Sequence, residues 1–291
     1  MSSDWETKAR DYIREQALTI REHLGIAKST DASPFQEFII PLLGGLMDGS
    51  ADVGPTTSHE VISRMTASQQ EDADEWAEFL WMFFLAIEHT SADEAHSRLA
   101  ALLRAVAQPP PIDSLPGPEA KKIALIPRLS SLETFGIISR DCWNGPSRHT
   151  QPPAAALAAW VNLNRFYAHL SRQQRREPLD SLKDWVEVFG KYTISCGLER
   201  ESDNDVRDYA WPAAVWLEIA GSDIYNDPHW GGRDNTLPEG APRDLRWDVW
   251  AQRLQEIAAS DRFDAQQPQL KEVAGRVADM MRESKAKGMD A

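Results

Sequence analysis

The chain has 291 residues, 42% of them hydrophobic and 26% charged, an ordinary composition for a globular protein with one large core or two smaller ones. Its formal net charge of −14 repels phosphate backbones and anionic bilayers, which argues against nucleic acid and membranes as partners. Two cysteines, and a charged N-terminal segment unlike a signal peptide, argue against a disulfide-stapled secreted domain and predict a cytoplasmic protein.

Helix signals dominate the first hundred residues. Four Ser/Thr-x-x-Glu motifs predict helix starts, because the cap and the third helical residue can satisfy each other's backbone N–H groups. The motifs begin at Ser3, Thr57, Ser68 and Ser91, and Ser33-Pro34 predicts a further start. The most apolar segment, 76–87, has 12 residues, fewer than the roughly 20 that cross a bilayer, so we expect a buried core helix there.

The rest of the chain continues the helical pattern. A proline-rich segment, 108–118, predicts an extended connector and is a candidate subdomain boundary. Helices are predicted over 127–142, 182–194, 204–221 and 244–259, with a central helix after Pro152-Pro153, a loop over 227–242 and an amphipathic C-terminal tail at 264–291. Since no segment alternates at period two, we expect an all-α fold: an irregular bundle of about nine or more helices in a single compact domain, 1–291.

The central helix carries the sequence WVNLNRFYAHL at 160–170, which is apolar over most of its girth. Polar side chains in such a helix need hydrogen-bond partners, since burying them unpaired is costly. Asn162 and Asn164 are two residues apart and therefore point about 200° away from each other. We expect Asn164 to face inward and to bond a backbone group or a neighbouring helix.

Seven of the eleven tryptophans lie from Trp160 onward, and two interpretations of this aromatic density stay open. The rings form a core, or they line a pocket for a flat or apolar ligand, which Trp230 in the 227–242 loop favours. His169 and Glu218 are the candidate catalytic residues, because an imidazole and a carboxylate can move a proton. The candidate ligand-binding residues are Trp160, Asn164, Trp216, Tyr225, Trp230 and Trp247.

Motifs for cofactors and metals are missing from the sequence. There is no dinucleotide- or phosphate-binding glycine loop and no nucleophile elbow. One cluster of histidines and carboxylates, 88–96, falls at a helix junction, where exposed polar residues are the ordinary expectation. We therefore predict no metal and no organic cofactor.

Three patterns in the second half of the chain carry a family resemblance. They are Trp-x-Asn-Leu-Asn from Trp160, Trp-x-x-x-Ala-Gly-x-x-x-Tyr from Trp216, and Arg-Trp-x-x-Trp from Arg246. Together, over Trp160 to Leu254, they resemble the fungal domain-of-unknown-function family that includes the oxopyrrolidine biosynthesis cluster protein G. The resemblance implies a mostly helical fungal protein, sometimes encoded in secondary-metabolite clusters, and it implies no catalytic residue.

Two functions from different classes follow. The first is a cofactor-independent small-molecule-binding protein or enzyme, cyclase- or isomerase-like, with an apolar or aromatic ligand under the 227–242 loop. The alternative is a non-enzymatic helical interaction or scaffold protein that uses its amphipathic tail and acidic surface. Members of the family are sometimes encoded in secondary-metabolite clusters, and this association favours the small-molecule-binding protein or enzyme. The sequence leaves the oligomeric state open.

Overall fold

The computed structural model describes residues 2–24, 30–67, 74–142, 154–200, 203–227, 242–261 and 268–286. These residues form twelve α-helices, joined by short 3₁₀ and π-helical turns, and no strand, which confirms the all-α prediction. The chain divides into two compact units, 1–141 and 142–291. The proline-rich segment 108–118 lies inside the first unit, and a single domain stays a prediction. No helix in the described ranges is long and apolar enough to span a membrane.

The first unit contains seven of the helices. Helix α2 packs against α1, α4 and α5, and α5 also packs on α3. The helices are α1 Ser2–Leu24, α2 Pro34–Asp48, α3 Pro55–Ala67, α4 Glu75–His89, α5 Asp93–Val106, α6 Glu119–Ser131 and α7 Glu133–Cys142.

Aromatic side chains of α4 form the core of this unit. Phe79 stacks on Phe83, and Phe84 stacks on Phe135 of α7, with ring centroids 5.4 and 5.5 Å apart. Phe79, Phe83 and Phe84 are each at most 2% exposed. The prediction of a core helix over 76–87 is therefore confirmed.

The helix starts differ from the predicted caps. Ser91 is not a cap, because α5 begins after Ala92, which makes no side-chain capping bond. Thr57 lies inside α3 and its hydroxyl donates to the carbonyl of Asp52, and Ser3 lies inside α1. Ser68 falls outside the described residues. The reciprocal capping box of the described chain is at Ser33, where Gln36 at the third helical position accepts from the cap's N–H.

The helix predicted over 127–142 is two helices, and the first of them starts earlier. Pro127, which the sequence favours as a start, lies within α6. The break between α6 and α7 falls at Leu132, whose φ of 53° is left-handed. A proline that removes one backbone hydrogen bond is tolerated here, because α6 spans only 13 residues and is largely solvent-exposed on one side.

The second unit is built on a pair of long helices, α8 and α10. Helix α9 packs against both, and α11 and α12 pair with each other beside α10. A π-helical turn, Ser195–Glu199, follows α9 directly and contacts α10 and α11. The helices are α8 Ala154–Arg176, α9 Lys183–Ile194, α10 Asp203–Asn226, α11 Arg243–Ala259 and α12 Pro268–Ala286.

The amphipathic C-terminal segment is the helix α12. Its apolar stripe is buried inside the unit: Leu270, Ala274, Val277 and Met281 are at most 1% exposed. The described part of the tail is thus a core element that covers α10 and α11.

Candidate functional site

The amide of Asn164 joins three helices of the second unit. Its nitrogen donates to the Trp160 carbonyl at 2.9 Å, as part of α8. Its oxygen accepts from the Trp216 indole N–H of α10 at 3.0 Å and from the Thr193 hydroxyl of α9 at 3.1 Å. Asn164 is fully buried, so the prediction that it faces inward and bonds the backbone and neighbouring helices is confirmed.

Three of the candidate tryptophans, Trp160, Trp216 and Trp247, are buried, and each of their indole N–H groups has an acceptor inside the unit. Trp160 donates to the Asp208 carbonyl at 3.1 Å, and Trp247 donates to the Met281 carbonyl at 2.9 Å. Trp160, Trp216 and Trp247 are no more than 3% exposed. These contacts tie α8 to α10 and α11 to α12. A ligand-binding role for these rings stays a prediction.

The other candidate residues lie nearer the surface, apart from the histidine. Glu218 accepts two hydrogen bonds from the guanidinium of Arg276 on α12, at 2.8 and 3.1 Å. The Tyr225 hydroxyl donates to Asp244 at 2.5 Å. His169 is buried on α8. The catalytic roles of His169 and Glu218 stay predictions, and Trp230 lies outside the described residues.

The three patterns that carry the family resemblance contact one another. Asn164 of the first pattern accepts from Trp216 of the second, as described above. Tyr225 of the second pattern packs edge-on against Trp247 of the third, with centroids 5.2 Å apart. Gly221 lets that indole approach, because a Cβ there would lie 3.3 Å from the Trp247 ring. The patterns thus describe one continuous core rather than three separate sites.

The third pattern leads from this core to a buried carboxyl group. The Trp250 indole N–H donates to Glu199 Oε1 at 2.8 Å, and both side chains are buried. Arg246 is 5% exposed and acts electrostatically on the same carboxyl group. Two of the three residues that define Arg-Trp-x-x-Trp therefore act on the Glu199 carboxyl group, Trp250 by a hydrogen bond and Arg246 by its charge.

Burial raises the pKa of Glu199 above the ordinary value of a glutamate. Smaller effects act in the opposite direction: the hydrogen bond from Trp250, the nearby Ser195 hydroxyl and the positive charge of Arg246. Desolvation disfavours the carboxylate, whereas these partners favour it. The result is a carboxyl group that can hold its proton at a higher pH than a solvated one and still has partners when ionised.

Glu199 ends the π-helical turn, and this turn depends on a glycine. A Cβ at position 197 would lie 2.6 Å from the Tyr209 carbonyl oxygen and 2.7 Å from its carbonyl carbon. Only a residue without a side chain allows the turn to press this closely on the α10 backbone. π-Helical turns occur often at functional sites, because the extra residue re-aims the side chains that follow.

A cleft of about 210 Å³ opens between this turn and α11. Leu198 and Val249 give it two apolar side chains, and charged or polar groups supply the remainder of the lining. The full lining is Leu198, Glu199, Arg200, Val249, Gln252, Arg253 and Glu256. Glu199 is thus a buried acid beside a cavity large enough for a small molecule.

Replacing Gly197 with alanine is expected to destabilise the second unit by about 1 to 3 kcal/mol, because the new methyl group meets a backbone carbonyl that cannot rotate away. Gly275→Ala in α12 is the matched control. Its Cβ would meet Ala258 at an ordinary 3.6 Å, and alanine is the better helix former by roughly 0.5 to 1 kcal/mol. Denaturant unfolding of both variants checks the opposite signs. Equal stability of Gly197→Ala and the wild type would contradict the packing described here.

Glu199 carries no signal in the sequence that would single it out, and the reason is local. Glu199 follows an uncharged segment, 193–198, and forms no motif with its neighbours. The signal that could have found it is indirect: the arginine and second tryptophan of Arg-Trp-x-x-Trp are groups that would partner a carboxylate. Among the described residues, no three His, Cys, Asp or Glu side chains come together as metal ligands. Within the 88–96 cluster, His89 instead contacts Lys8 and His96 contacts the Thr90 carbonyl.

These features define an all-helical protein whose second unit holds a buried acid at a π-helical turn. The chain belongs to the family described as "Protein of unknown function (DUF3632)", whose sequence model matches residues 81–254. The match covers more than half of the chain and includes all three patterns and Glu199. No curated protein and no solved structure matches the chain.

Proposed function

We propose that the chain is a cofactor-independent small-molecule-binding protein or enzyme of fungal secondary-metabolite biosynthesis, acting in the cytoplasm. Its site is the cleft beside the π-helical turn, and Glu199 is the group that exchanges a proton with the ligand. The single observation that supports this is a buried carboxyl group with a raised pKa next to a cavity. Such perturbed groups in clefts are enriched at functional sites.

The environment of Glu199 suits a residue that both gives and takes a proton. General acid–base catalysis is most effective when the pKa of the group lies near the working pH, and burial moves a glutamate in that direction. Trp250 and Arg246 stabilise the ionised form when the proton has left. Donation and acceptance at the same carboxyl group therefore cost less than they would in an apolar pocket without partners.

A cyclase- or isomerase-like reaction fits this arrangement. An isomerisation removes a proton from one atom of the substrate and returns it to another, so one carboxyl group with two accessible protonation states serves both steps. Such a reaction consumes no oxidant or reductant. It can therefore proceed by proton transfer alone, in line with the prediction from the sequence that no metal and no organic cofactor bind.

The alternative is a non-enzymatic interaction or scaffold protein, and one observation favours it. Three large apolar side chains of the first unit are exposed on α4, α6 and α7, at 42% for Trp81, 58% for Ile123 and 47% for Ile137. The tail offers less support, because the apolar stripe of α12 is buried within the second unit. Exposed apolar residues that are scattered singly are also common on soluble proteins.

A thermal-stability screen with small metabolites tests the proposed function. A ligand that binds the native state raises Tm by mass action, so we expect hits with the wild-type protein. The same hits should lose most of their effect on Glu199→Gln and keep it on Glu272→Gln, which removes an exposed carboxylate from α12. No hit, or hits that raise the Tm of Glu199→Gln as much as that of the wild type, would favour the interaction protein.

The stability of the protein should also depend on pH through Glu199. Folding raises its pKa, so the folded chain binds this proton more tightly than the unfolded chain does. Its contribution to stability is complete below the unfolded pKa and is lost as the pH rises through the folded pKa. Glutamine carries no such proton, so the free energy of unfolding of Glu199→Gln, relative to wild type, should rise with pH above the ordinary glutamate range.

Denaturant unfolding at several pH values measures this difference, with Glu272→Gln as the control that should track the wild type. A constant difference between wild type and Glu199→Gln across the series would show that the carboxyl group titrates normally. In that case, the electrostatic basis of the proposed function would be wrong.

A further inference from the structure

We propose that the cleft beside Glu199 binds a small monocarboxylic acid, whose carboxylate is held by Arg200 and Arg253 and whose apolar body lies on Leu198 and Val249. This inference rests on the proposed function, because it names the ligand class of the same site. It is drawn from the pairing of two arginines with two apolar side chains in a cleft that also holds a protonatable carboxyl group.

Arg200 is held at the end of the π-helical turn. Its guanidinium lies over the Tyr192 ring, 5.6 Å from the ring centroid, and 3.8 Å from the Asp205 carboxylate. Its backbone is extended, with φ −87° and ψ 150°, so the chain leaves the turn at this residue. Stacking on an aromatic face fixes the plane of a guanidinium while its N–H edge stays available for hydrogen bonds.

Arg253 approaches the cleft from α11. It pairs with Glu256 one turn later, with an N···O distance of 3.2 Å, and its side chain is 31% exposed. Gln252 also donates to Glu256, at 3.1 Å. This pairing leaves Arg253 with further N–H donors, because a guanidinium carries five in a planar fork. A planar carboxylate matches that fork and accepts two parallel hydrogen bonds.

The balance of charges in the cleft selects a monoanion. The two arginines attract an anion, whereas Glu256 and the ionised form of Glu199 repel a second negative charge on it. A phosphate dianion therefore gains less here than a carboxylate does. Val249 supplies most of the surface that an apolar or aromatic body would cover, because Leu198 is only 2% exposed.

Size sets a further limit on the ligand. The cleft volume of about 210 Å³ lies below the roughly 300 to 1,000 Å³ of pockets that bury drug-sized ligands. An aromatic acid with a single ring is of this size, and larger metabolites would extend into solvent.

Benzoate and benzamide form the probe pair for this inference, because they share a ring and a planar shape and differ in charge. The full chain, labelled with ¹⁵N, is titrated with each probe at neutral pH. The NMR signal of the Trp250 indole N–H reports binding, because this group donates a hydrogen bond to Glu199. We expect benzoate to bind at least tenfold more tightly than benzamide. Arg200→Gln and Arg253→Gln should each weaken benzoate binding about tenfold. Arg282→Gln, which removes a guanidinium of α12 that does not line the cleft, should leave it unchanged.

The outcomes separate this inference from the proposed function. If benzamide binds as well as benzoate, or both arginine variants bind benzoate like wild type, the carboxylate assignment is wrong. If binding of benzamide still weakens in Glu199→Gln, the site itself is retained. Inorganic phosphate that binds as tightly as benzoate would make the cleft a general anion site and would overturn the choice of a carboxylate. No shift with any probe would overturn the carboxylate assignment, while hits in the metabolite screen would still support a site at Glu199.

Discussion

Replacing Phe84 with alanine is expected to lower the free energy of unfolding by about 3 to 5 kcal/mol. Phe84 is 2% exposed and stacks on Phe135 of α7, with the ring planes 15° apart, while Phe83 meets it edge-on at 6.3 Å. Removing the ring loses this contact area and leaves a cavity that α4 and α7 cannot close without moving apart. Chemical unfolding of the full chain, followed by far-UV circular dichroism, measures the loss.

Trp81→Ala is the control, since it removes a larger ring from the same helix. Trp81 is 42% exposed, so its loss should change stability by no more than about 1 kcal/mol. The two variants thus separate burial from aromatic content. Similar losses in both would place the exposed side of α4 in an interface, as the interaction-protein alternative expects.

Asn164→Ala has the second large effect. The substitution leaves the Trp216 indole N–H and the Thr193 hydroxyl without their common acceptor in a fully buried position. Each buried donor left unsatisfied costs about 1 to 3 kcal/mol, so the loss should reach several kcal/mol unless water enters. Unfolding by urea, monitored by tryptophan fluorescence, reports both the loss and any change in the surroundings of Trp216.

A double-mutant cycle with Trp216→Phe tests the origin of this loss. Phenylalanine removes the donor together with its need for an acceptor, so Asn164→Ala should cost less in that background than in the wild type. An equal cost in both backgrounds would mean that the bond to Trp216 contributes nothing. A variant that keeps its stability but fails to bind a ligand would instead support the predicted ligand-binding role of Asn164.

The sequence predicts which segments are helical better than it predicts the residues at which the helices begin and end. Apolar spacing predicts the helix cores, because burial of one face dominates helix formation in a folded protein. The caps are weaker signals, and the bonds that form depend on where the chain turns: the Ser33 cap uses Gln36, whereas Ser91 caps nothing. The break at Leu132 has no sequence signal, since leucine rarely adopts a left-handed conformation and packing decides its place there.

The candidate site shows the same limit at the level of chemistry. Asn164 could be predicted to face inward, because its position on one helix follows from helical geometry. Glu199 could not, because its burial depends on Trp250 and Arg246, which lie about fifty residues further along the chain. The π-helical turn that places Glu199 also lacks a sequence signature beyond Gly197. The spacing of apolar residues along the chain carries no information on long-range contacts of this kind.

The role of α12 bears on where the boundaries of a folding domain in this chain should be drawn. The family match ends at residue 254, inside α11, and it begins at residue 81, inside α4. The Met281 carbonyl that accepts from Trp247 lies beyond that limit, on a helix that supplies five fully buried apolar side chains. A recombinant fragment cut at the borders of the match would therefore sever two helices and expose the core of the second unit. Sequence similarity marks the part of the chain that relatives share. The segment that can fold on its own is determined instead by the apolar surface that must be buried.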